Sequence, residues 1–136
     1  MALSNSDIIR AIDVSPMNRG LRGSDWLQTP GNIPISFDSG NLALFDHCQD
    51  HDYEMHLLFS VGKRQGIADV QSAYRQMFEK HGAQLLYGLI PNELPAVKLF
   101  MRWTGAKSAG IRDTSNGPCE LFILSKEMWT YKGLDS

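Results

Sequence analysis

A basic turn that ends in a glycine stands where a strand-like run meets a helix-like run. The turn is Lys63-Arg64-Gln65-Gly66. A helix N-terminus exposes unpaired N–H groups and a partial positive charge, and glycine lets a ligand approach the backbone closely. With two cations added, these residues predict a cradle for a diphosphate. The alternative is an ordinary turn with solvated cations, and the residue types alone leave both open.

The spacing around this turn argues against two nucleotide sites. Neither Gly-x-x-x-x-Gly-Lys-Ser/Thr nor Gly-x-Gly-x-x-Gly is present at the joint. A nucleoside triphosphate loop and a Rossmann dinucleotide site are therefore disfavoured.

Two side chains that can carry protons lie just before the turn. Glu54 and His56 are two apart in the strand-like run and so share one face of it. Either could act as a general base, and imidazole titrates in the useful range. The alternative is structural, with Glu54 at a half-exposed strand start and His56 hydrogen-bonded in the core.

Other reactive residues give weaker patterns. His47 and His51 cluster with acidic neighbours between two strands, but a polar turn explains them and we predict no metal site. Cys48 and Cys119 form no Cys-x-x-Cys pair, which disfavours a zinc or redox motif. Near the end of the chain, Trp129 and Tyr131 predict an exposed apolar patch suited to docking other chains.

The bulk composition limits the classes of partner. The 136 residues carry a formal net charge of −2, and 43% of them are hydrophobic. That charge predicts no general attraction to nucleic acid or anionic membranes, and no apolar run is long enough to span a bilayer. The length fits one domain, which we divide into a loosely organised segment at 1–32, a core at 33–124 and a C-terminal tail at 125–136.

The element order predicts an α+β fold. A hairpin is expected near 33–46, and a long strand precedes the basic turn. A helix follows it with apolar residues at helical spacing and ends at Gly82. Further strands and a helix starting at Pro95 complete a mixed, mostly antiparallel sheet flanked by helices. The expected strands are 33–37, 42–45, 53–61, 83–90, 106–111 and 119–124.

The joint and its surroundings resemble motif A of the GNAT superfamily of acyl-CoA-dependent N-acyltransferases. That motif has the form Gln/Arg-x-x-Gly-x-Gly/Ala after a long central strand, and Lys63-Arg64-Gln65-Gly66-Ile67-Ala68 fits it with lysine in the first position. The strand ending at Ile90, Asn92 and the helix ending at Gly105-Ala106 match the parts that follow. The resemblance runs from Tyr53 to Leu124 and implies a GNAT-like fold.

The resemblance also implies a cofactor and its site. Acetyl-CoA would be held by its diphosphate on the backbone of Arg64 to Ala68, beside Lys63. The end of the strand at Phe59, Ser60 and Val61 would pair with the pantetheine arm, and Asn92 would approach it from the neighbouring strand. The two strands would splay to admit the arm, and the acceptor would be a small amine or a protein amine.

Two departures from the family pattern argue against enzymatic activity. Many members carry a tyrosine, as the acid for the leaving thiolate, where this chain has Phe100 and Met101, and neither side chain can donate a proton to a thiolate. The family's first strand has no counterpart in residues 1–6.

A closer resemblance is to the small GNAT-like proteins of short-tailed bacteriophages, carried by the pattern Tyr53-Glu54-x-His56-x-x-Phe59. It implies a role in virion or head assembly, with other phage structural proteins as partners, a vestigial acetyl-CoA site, and a location in the host cytoplasm or virion. The alternative is an active acetyl-CoA-dependent N-acetyltransferase.

Overall fold

The computed structural model describes residues 3–15, 21–59 and 62–134, with the side chains of 131–134 left out. Within these ranges six strands form one mixed sheet in the order β1-β2-β3-β4-β6-β5. Only the central β3–β4 pair is parallel, and the other four neighbouring pairs are antiparallel. The strands are β1 Ile33–Ser36, β2 Leu42–Gln49, β3 Asp52–Leu58, β4 Leu85–Pro91, β5 Lys107–Thr114 and β6 Gly117–Ser125.

In the described part of the chain, five α-helices flank the sheet: α1 Asn5–Val14, α2 Gly23–Gln28, α3 Lys63–Arg75, α4 Pro95–Trp103 and α5 Lys126–Leu134. Helix α3 runs on into a wider π-helical turn at Gln76–Lys80. Gly82 ends this segment with a φ of +71°, a conformation that glycine adopts at no steric cost.

The two faces of the sheet bury different clusters, because successive strand residues point to opposite sides. On one face, Ala43 and Phe45 of β2 join the large core, which includes Tyr74 and Phe78. On the other face, Leu42 and Leu44 pack with residues of α1 and α2, namely Ile8, Ile12 and Trp26. The helices that precede the sheet therefore cover the face opposite to the main core.

The structure confirms the predicted mixed, mostly antiparallel sheet flanked by helices. It differs at both ends of the chain. The segment at 1–32, which was expected to be loosely organised, contains α1 and α2, and Ser4 caps α1. A tail was expected at 125–136, but Lys126–Leu134 is helical.

The structure does not place Trp129 in the exposed apolar patch that the sequence predicted. Its ring packs on Phe78, with ring centroids 5.3 Å apart, so it belongs to the edge of the core. The Tyr131 side chain lies outside what the structure describes. In the described ranges no helix is both long and apolar enough to cross a lipid bilayer.

Candidate functional site

The central strands part from each other midway along their length. The parallel pairing of β3 with β4 runs from Asp52–Leu85 to Glu54–Tyr87 and stops there. Both strands continue, to Leu58 and Pro91. The sheet is therefore open between 55–58 and 88–91, as the resemblance implied.

A cavity of about 500 Å³ occupies this opening. Residues 54–58 and 88–91 form its two sides, and Leu94, Val97 and Met101 close it from α4 and the residue before it. From the opposite face, Ile12 and Asp46 reach it. The cavity therefore connects the α4 side of the sheet with the face covered by α1 and α2.

Gly88 keeps the opening wide where the strands part. A Cβ there would lie 3.6 Å from Met101 Cε and 3.6 Å from Met55 Cγ, so a larger side chain would take up space at this wall of the cavity. The opening is the kind of slot that an extended, flexible ligand arm can enter.

The N-terminus of α3 presents unpaired backbone N–H groups. Gly62 precedes the helix and gives no side-chain cap. Gly66 N–H already donates to Gly62 O at 2.9 Å. In an α-helix the unbonded donors belong to the first turn, which places them here at Lys63, Arg64 and Gln65. Ile67 and Ala68 lie in the second turn, where N–H groups are used within the helix, so the set available to an anion is earlier than the predicted 64–68.

The two cations of the turn differ in their contacts. Lys63 Nζ lies 3.5 Å from the centre of the Trp103 ring, a cation–π contact with α4. Arg64 is exposed. Both remain close to the helix N-terminus, where positive charge favours an anion.

Gly66 has a packing role that the sequence did not reveal. A Cβ there would lie 3.1 Å from Phe100 Cε1 and 3.5 Å from Phe59 Cδ2. Phe59 and Phe100 meet edge to face at 6.2 Å. The glycine thus allows α3 to approach these two rings, rather than leaving its backbone open to a ligand.

Asp69 anchors the first half of α3 to the turn between β1 and β2. Its Oδ2 accepts hydrogen bonds from Ser39 Oγ at 2.6 Å and Asn41 Nδ2 at 2.9 Å, and its Oδ1 accepts one from Gln65 Nε2 at 2.8 Å. Gln65 therefore acts in this network through its side chain. The three bonds hold the N-terminal half of the helix against the sheet.

Asn92 does not reach the cavity. Its side-chain oxygen accepts a hydrogen bond from Lys98 Nζ at 2.7 Å on the exposed side of α4. Lys98 also pairs with the buried Glu120. The structure therefore separates Asn92 from the other predicted site residues. Ser60 and Val61 lie outside the described residues.

Glu54 and His56 line the cavity together with Asp46, which the sequence analysis missed. His56 Nε2 lies 3.1 Å from Asp46 Oδ2 and 3.9 Å from Glu54 Oε1. The β2–β3 register places Asp46 opposite Glu54, which brings the three onto one face. The alternation of strand residues indicates which side chains share a face. Finding that Asp46 lies beside Glu54 and His56 also requires the strand register.

Asp46 is held from a second side by Trp26 of α2. The indole Nε1–H donates to Asp46 Oδ1, so the two carboxylate oxygens serve different partners. Burial acts to raise the pKa of Asp46, but the hydrogen bond and charge of His56 and the indole N–H outweigh it. The pKa of Asp46 therefore lies below its usual range.

The same three residues offer ligand atoms that lie within 4.8 Å of one another. His56 and Asp46 are hydrogen-bonded to each other within this group. At the predicted polar turn, His47 Nε2 is bonded to Asp50 O at 2.8 Å. No metal-like cluster forms around His47 or His51 in the described part of the chain.

Tyr87 stands next to this group but outside the cavity lining. It pairs with Glu54 across the sheet, and its hydroxyl lies 2.9 Å from Cys48 Sγ. Burial, followed by its neighbours Cys48, Glu54 and Asp46, raises the pKa of Tyr87, which keeps the phenol protonated. Met101 of α4 lines the cavity at one of the two positions where the family resemblance would lead one to expect a tyrosine.

With this geometry known, the chain can be compared with known proteins. It aligns with spermidine/spermine N-acetyltransferase SpeG from Vibrio cholerae at a TM-score of 0.76 and 9% identity, over 97% of this chain and 96% of the other. It aligns with aminoglycoside acetyltransferase AAC(6')-Ib, in a structure with coenzyme A and kanamycin, at 0.74 and 11% identity, over 98% and 97%. The fold is that of the GNAT acetyltransferases.

A GNAT-family acetyltransferase from Bacillus anthracis aligns at 0.58 and 14% identity, over 71% of this chain and 66% of the other. No protein-family model matches the chain, and no curated protein matches it in sequence. At such low identities the shared feature is the fold. The three structures named here are acetyltransferases, and the role in phage assembly stays a prediction from the sequence.

Proposed function

We propose that this protein is an N-acyltransferase that takes an acyl group from acetyl-CoA and delivers it to a small amine. The observation that carries the proposal is the opening between β3 and β4, whose walls include the carboxylate–imidazole group of Asp46, Glu54 and His56. The fold shared with acetyltransferases, one of them in complex with coenzyme A, supports it.

Residues at the opening and at the start of α3 fit coenzyme A. The first-turn N–H groups at Lys63 to Gln65, with Arg64 beside them, suit a diphosphate. Beyond Glu54, β3 has no partner strand on its β4 side, so its backbone can bond an extended arm. Gly88 leaves the width that such an arm requires. Coenzyme A, when bound, supplies the acyl group as a reactive thioester.

The proton chemistry falls to Glu54 and His56. An amine attacks only in its neutral form, and either side chain can remove its proton directly or through water. Phe100 and Met101 supply no acid to the departing thiolate, so water would protonate it. This absence does not prevent transfer, because the pKa of a thiol is modest.

The cavity lining indicates the charge of the acceptor. Among the described residues that form it, the ionisable side chains are Asp46, Glu54 and His56, and no lysine or arginine joins them. A positively charged amine is therefore attracted, whereas an acceptor with its own carboxylate or phosphate near the amine is repelled. The apolar remainder of the lining suits an alkyl or aromatic body.

The test is calorimetric titration with acetyl-CoA of the wild-type chain and two variants at Gly88. Gly88→Ala makes ordinary contacts with Met55 and Met101 and should bind almost normally. Gly88→Val fills the opening and should raise Kd at least ~10-fold, equivalent to about 1.4 kcal/mol. Acyl transfer to a panel of cationic amines is measured in parallel by release of free thiol.

Ala109→Val adds bulk in the edge strand β5, away from the opening, and serves as the control. Its Kd should match that of the wild type, and thermal unfolding shows whether each variant is folded. Absence of any heat of binding at millimolar acetyl-CoA would contradict the proposal. So would equal binding by a folded Gly88→Val variant, which would place the ligand elsewhere. Gly66→Glu is not a clean test, because its side chain would strike Phe100.

A further inference from the structure

An exposed aromatic ring lies beside the basic turn at the start of α3. Trp103, the last residue of α4, is 44% exposed, and among the described residues it is the one aromatic ring in the set of exposed large apolar side chains. Lys63 Nζ lies 3.5 Å from the centre of this ring. A single exposed apolar residue needs no explanation by itself, but this one has a cation over its face and the first turn of α3 next to it.

Hydrogen bonds from α3 hold the end of α4 in place. Thr104, which follows Trp103, accepts a hydrogen bond at its backbone oxygen from Gln71 Nε2 at 2.7 Å. Its hydroxyl lies 2.8 Å from the hydroxyl of Tyr74, and both of these residues are buried. The backbone of Trp103 is therefore fixed beside α3 before any ligand binds, so little conformational entropy is lost when a ligand contacts the ring.

These surroundings suit a ligand that is aromatic at one end and anionic at the other. The face of an indole ring stacks with a nucleobase, whereas Lys63, Arg64 and the first-turn N–H groups of α3 suit phosphate oxygens. The ring lies within reach of the side chain of Lys63, and a ribose spans a comparable length between its base and its 5′-phosphate. A nucleotide satisfies both ends at once, while an apolar segment of a protein would leave the two cations without an anion.

We propose that Trp103 is the platform on which the adenine of the acyl-CoA donor stacks, and that Lys63 leaves the ring to bind the phosphates when the base arrives. This inference rests on the proposed function for the identity of the donor and adds the means by which its nucleotide is recognised. Stacking of a base on an aromatic ring is stronger than an exposed cation–π contact, and the ammonium gains a phosphate in exchange. Trp103 thus selects thioesters that carry the adenine nucleotide over thioesters of 4′-phosphopantetheine alone.

The probe for the test is adenosine 3′,5′-bisphosphate. It has the nucleotide of coenzyme A but no pantetheine arm, so its binding does not require the opening between β3 and β4. The chain contains three tryptophans, and a stacked base quenches indole emission. We therefore expect the fluorescence of the full wild-type chain to fall as the probe is added. Trp103→Phe keeps an aromatic ring and should bind the probe with a Kd close to that of the wild type, but without quenching, which assigns the signal to Trp103.

Calorimetric titration of further variants separates stacking from charge. Trp103→Leu keeps an apolar side chain but removes the flat ring, and it should raise the Kd of the probe ~10-fold, equivalent to about 1.4 kcal/mol. Lys63→Gln should weaken binding and reduce its dependence on salt, while the quenching at saturation persists. Val14→Ala removes another exposed apolar side chain, at the end of α1, and serves as the control with unchanged Kd. Wild type should also bind coenzyme A more tightly than 4′-phosphopantetheine, and Trp103→Leu should reduce this preference.

Either of two results overturns the inference. The first is an unchanged emission of the wild type at millimolar probe, which needs no variant to fold. The second is a Trp103→Leu variant that is folded by thermal unfolding and binds the probe as tightly as the wild type. If acetyl-CoA still binds and is turned over in either case, the platform is refuted and the proposed function stands. Conversely, the expected quenching together with no acyl transfer and no effect of Gly88→Val would refute the proposed function and leave Trp103 as a nucleotide platform.

Discussion

Replacing Asp69 tests how the start of α3 is held in place. The carboxylate is 5% exposed and accepts three hydrogen bonds, from Ser39, Asn41 and Gln65. Asp69→Ala removes all three acceptor interactions. Asn41 is fully buried, so its amide cannot exchange this bond for one with bulk water.

The size of the effect follows from the exposure of each donor. A buried donor that loses its partner costs about 1–3 kcal/mol, and we take about 2 for Asn41. Ser39 and Gln65 can reach water, so each adds only about 0.5. The variant also lacks the desolvation cost of a buried carboxylate, which offsets part of this sum. The net destabilisation is therefore about 2 kcal/mol. For a chain of this length that lowers Tm by roughly 6–10 °C.

The assay is urea unfolding followed by tryptophan fluorescence, with hydrogen exchange of the α3 amides as a local readout. Asp69→Asn retains one acceptor oxygen for Asn41 and should cost about half as much as Asp69→Ala. Gln65→Ala removes only the bond made by the exposed Gln65 side chain and should cost about 0.5 kcal/mol. The reasoning is refuted if Asp69→Ala unfolds within about 0.5 kcal/mol of the wild type at an unchanged m value, since that is the scale of an ordinary surface change.

Two further predictions concern other parts of the chain. Trp129→Ala removes the ring that packs on Phe78, so we expect a loss of about 2 kcal/mol by chemical unfolding, whereas an exposed tail would give no change. Because the folded-state pKa of Asp46 is depressed, its ion pair contributes stability above the unfolded-state pKa, and this contribution is lost as pH falls through the lower folded-state pKa. Below about pH 4, the free energy of unfolding of Asp46→Asn should therefore fall less steeply with decreasing pH than that of the wild type. Equal slopes of the two curves in this pH range would contradict the prediction.

The order of elements could be predicted from the sequence because it depends on local patterns. Apolar residues at helical spacing, Gly82 at the end of the α3 segment and Pro95 at the start of α4 indicated the central helices. The end segments were harder. Trp129 is taken for an exposed residue until Phe78 is known to lie beneath it.

The residue types also determined the kind of chemistry expected, with cations and glycine at a helix start and a carboxylate and an imidazole on one strand face. Tertiary structure decided which of them work together. The β2–β3 register brought Asp46 next to His56, and the docking of α2 brought Trp26 to Asp46. Asn92 is bonded instead by Lys98 of α4, and Gly66 packs against Phe100 of the same helix. Contacts between residues distant in the chain depend on strand pairing and helix docking, and no local pattern of residue types encodes those distances.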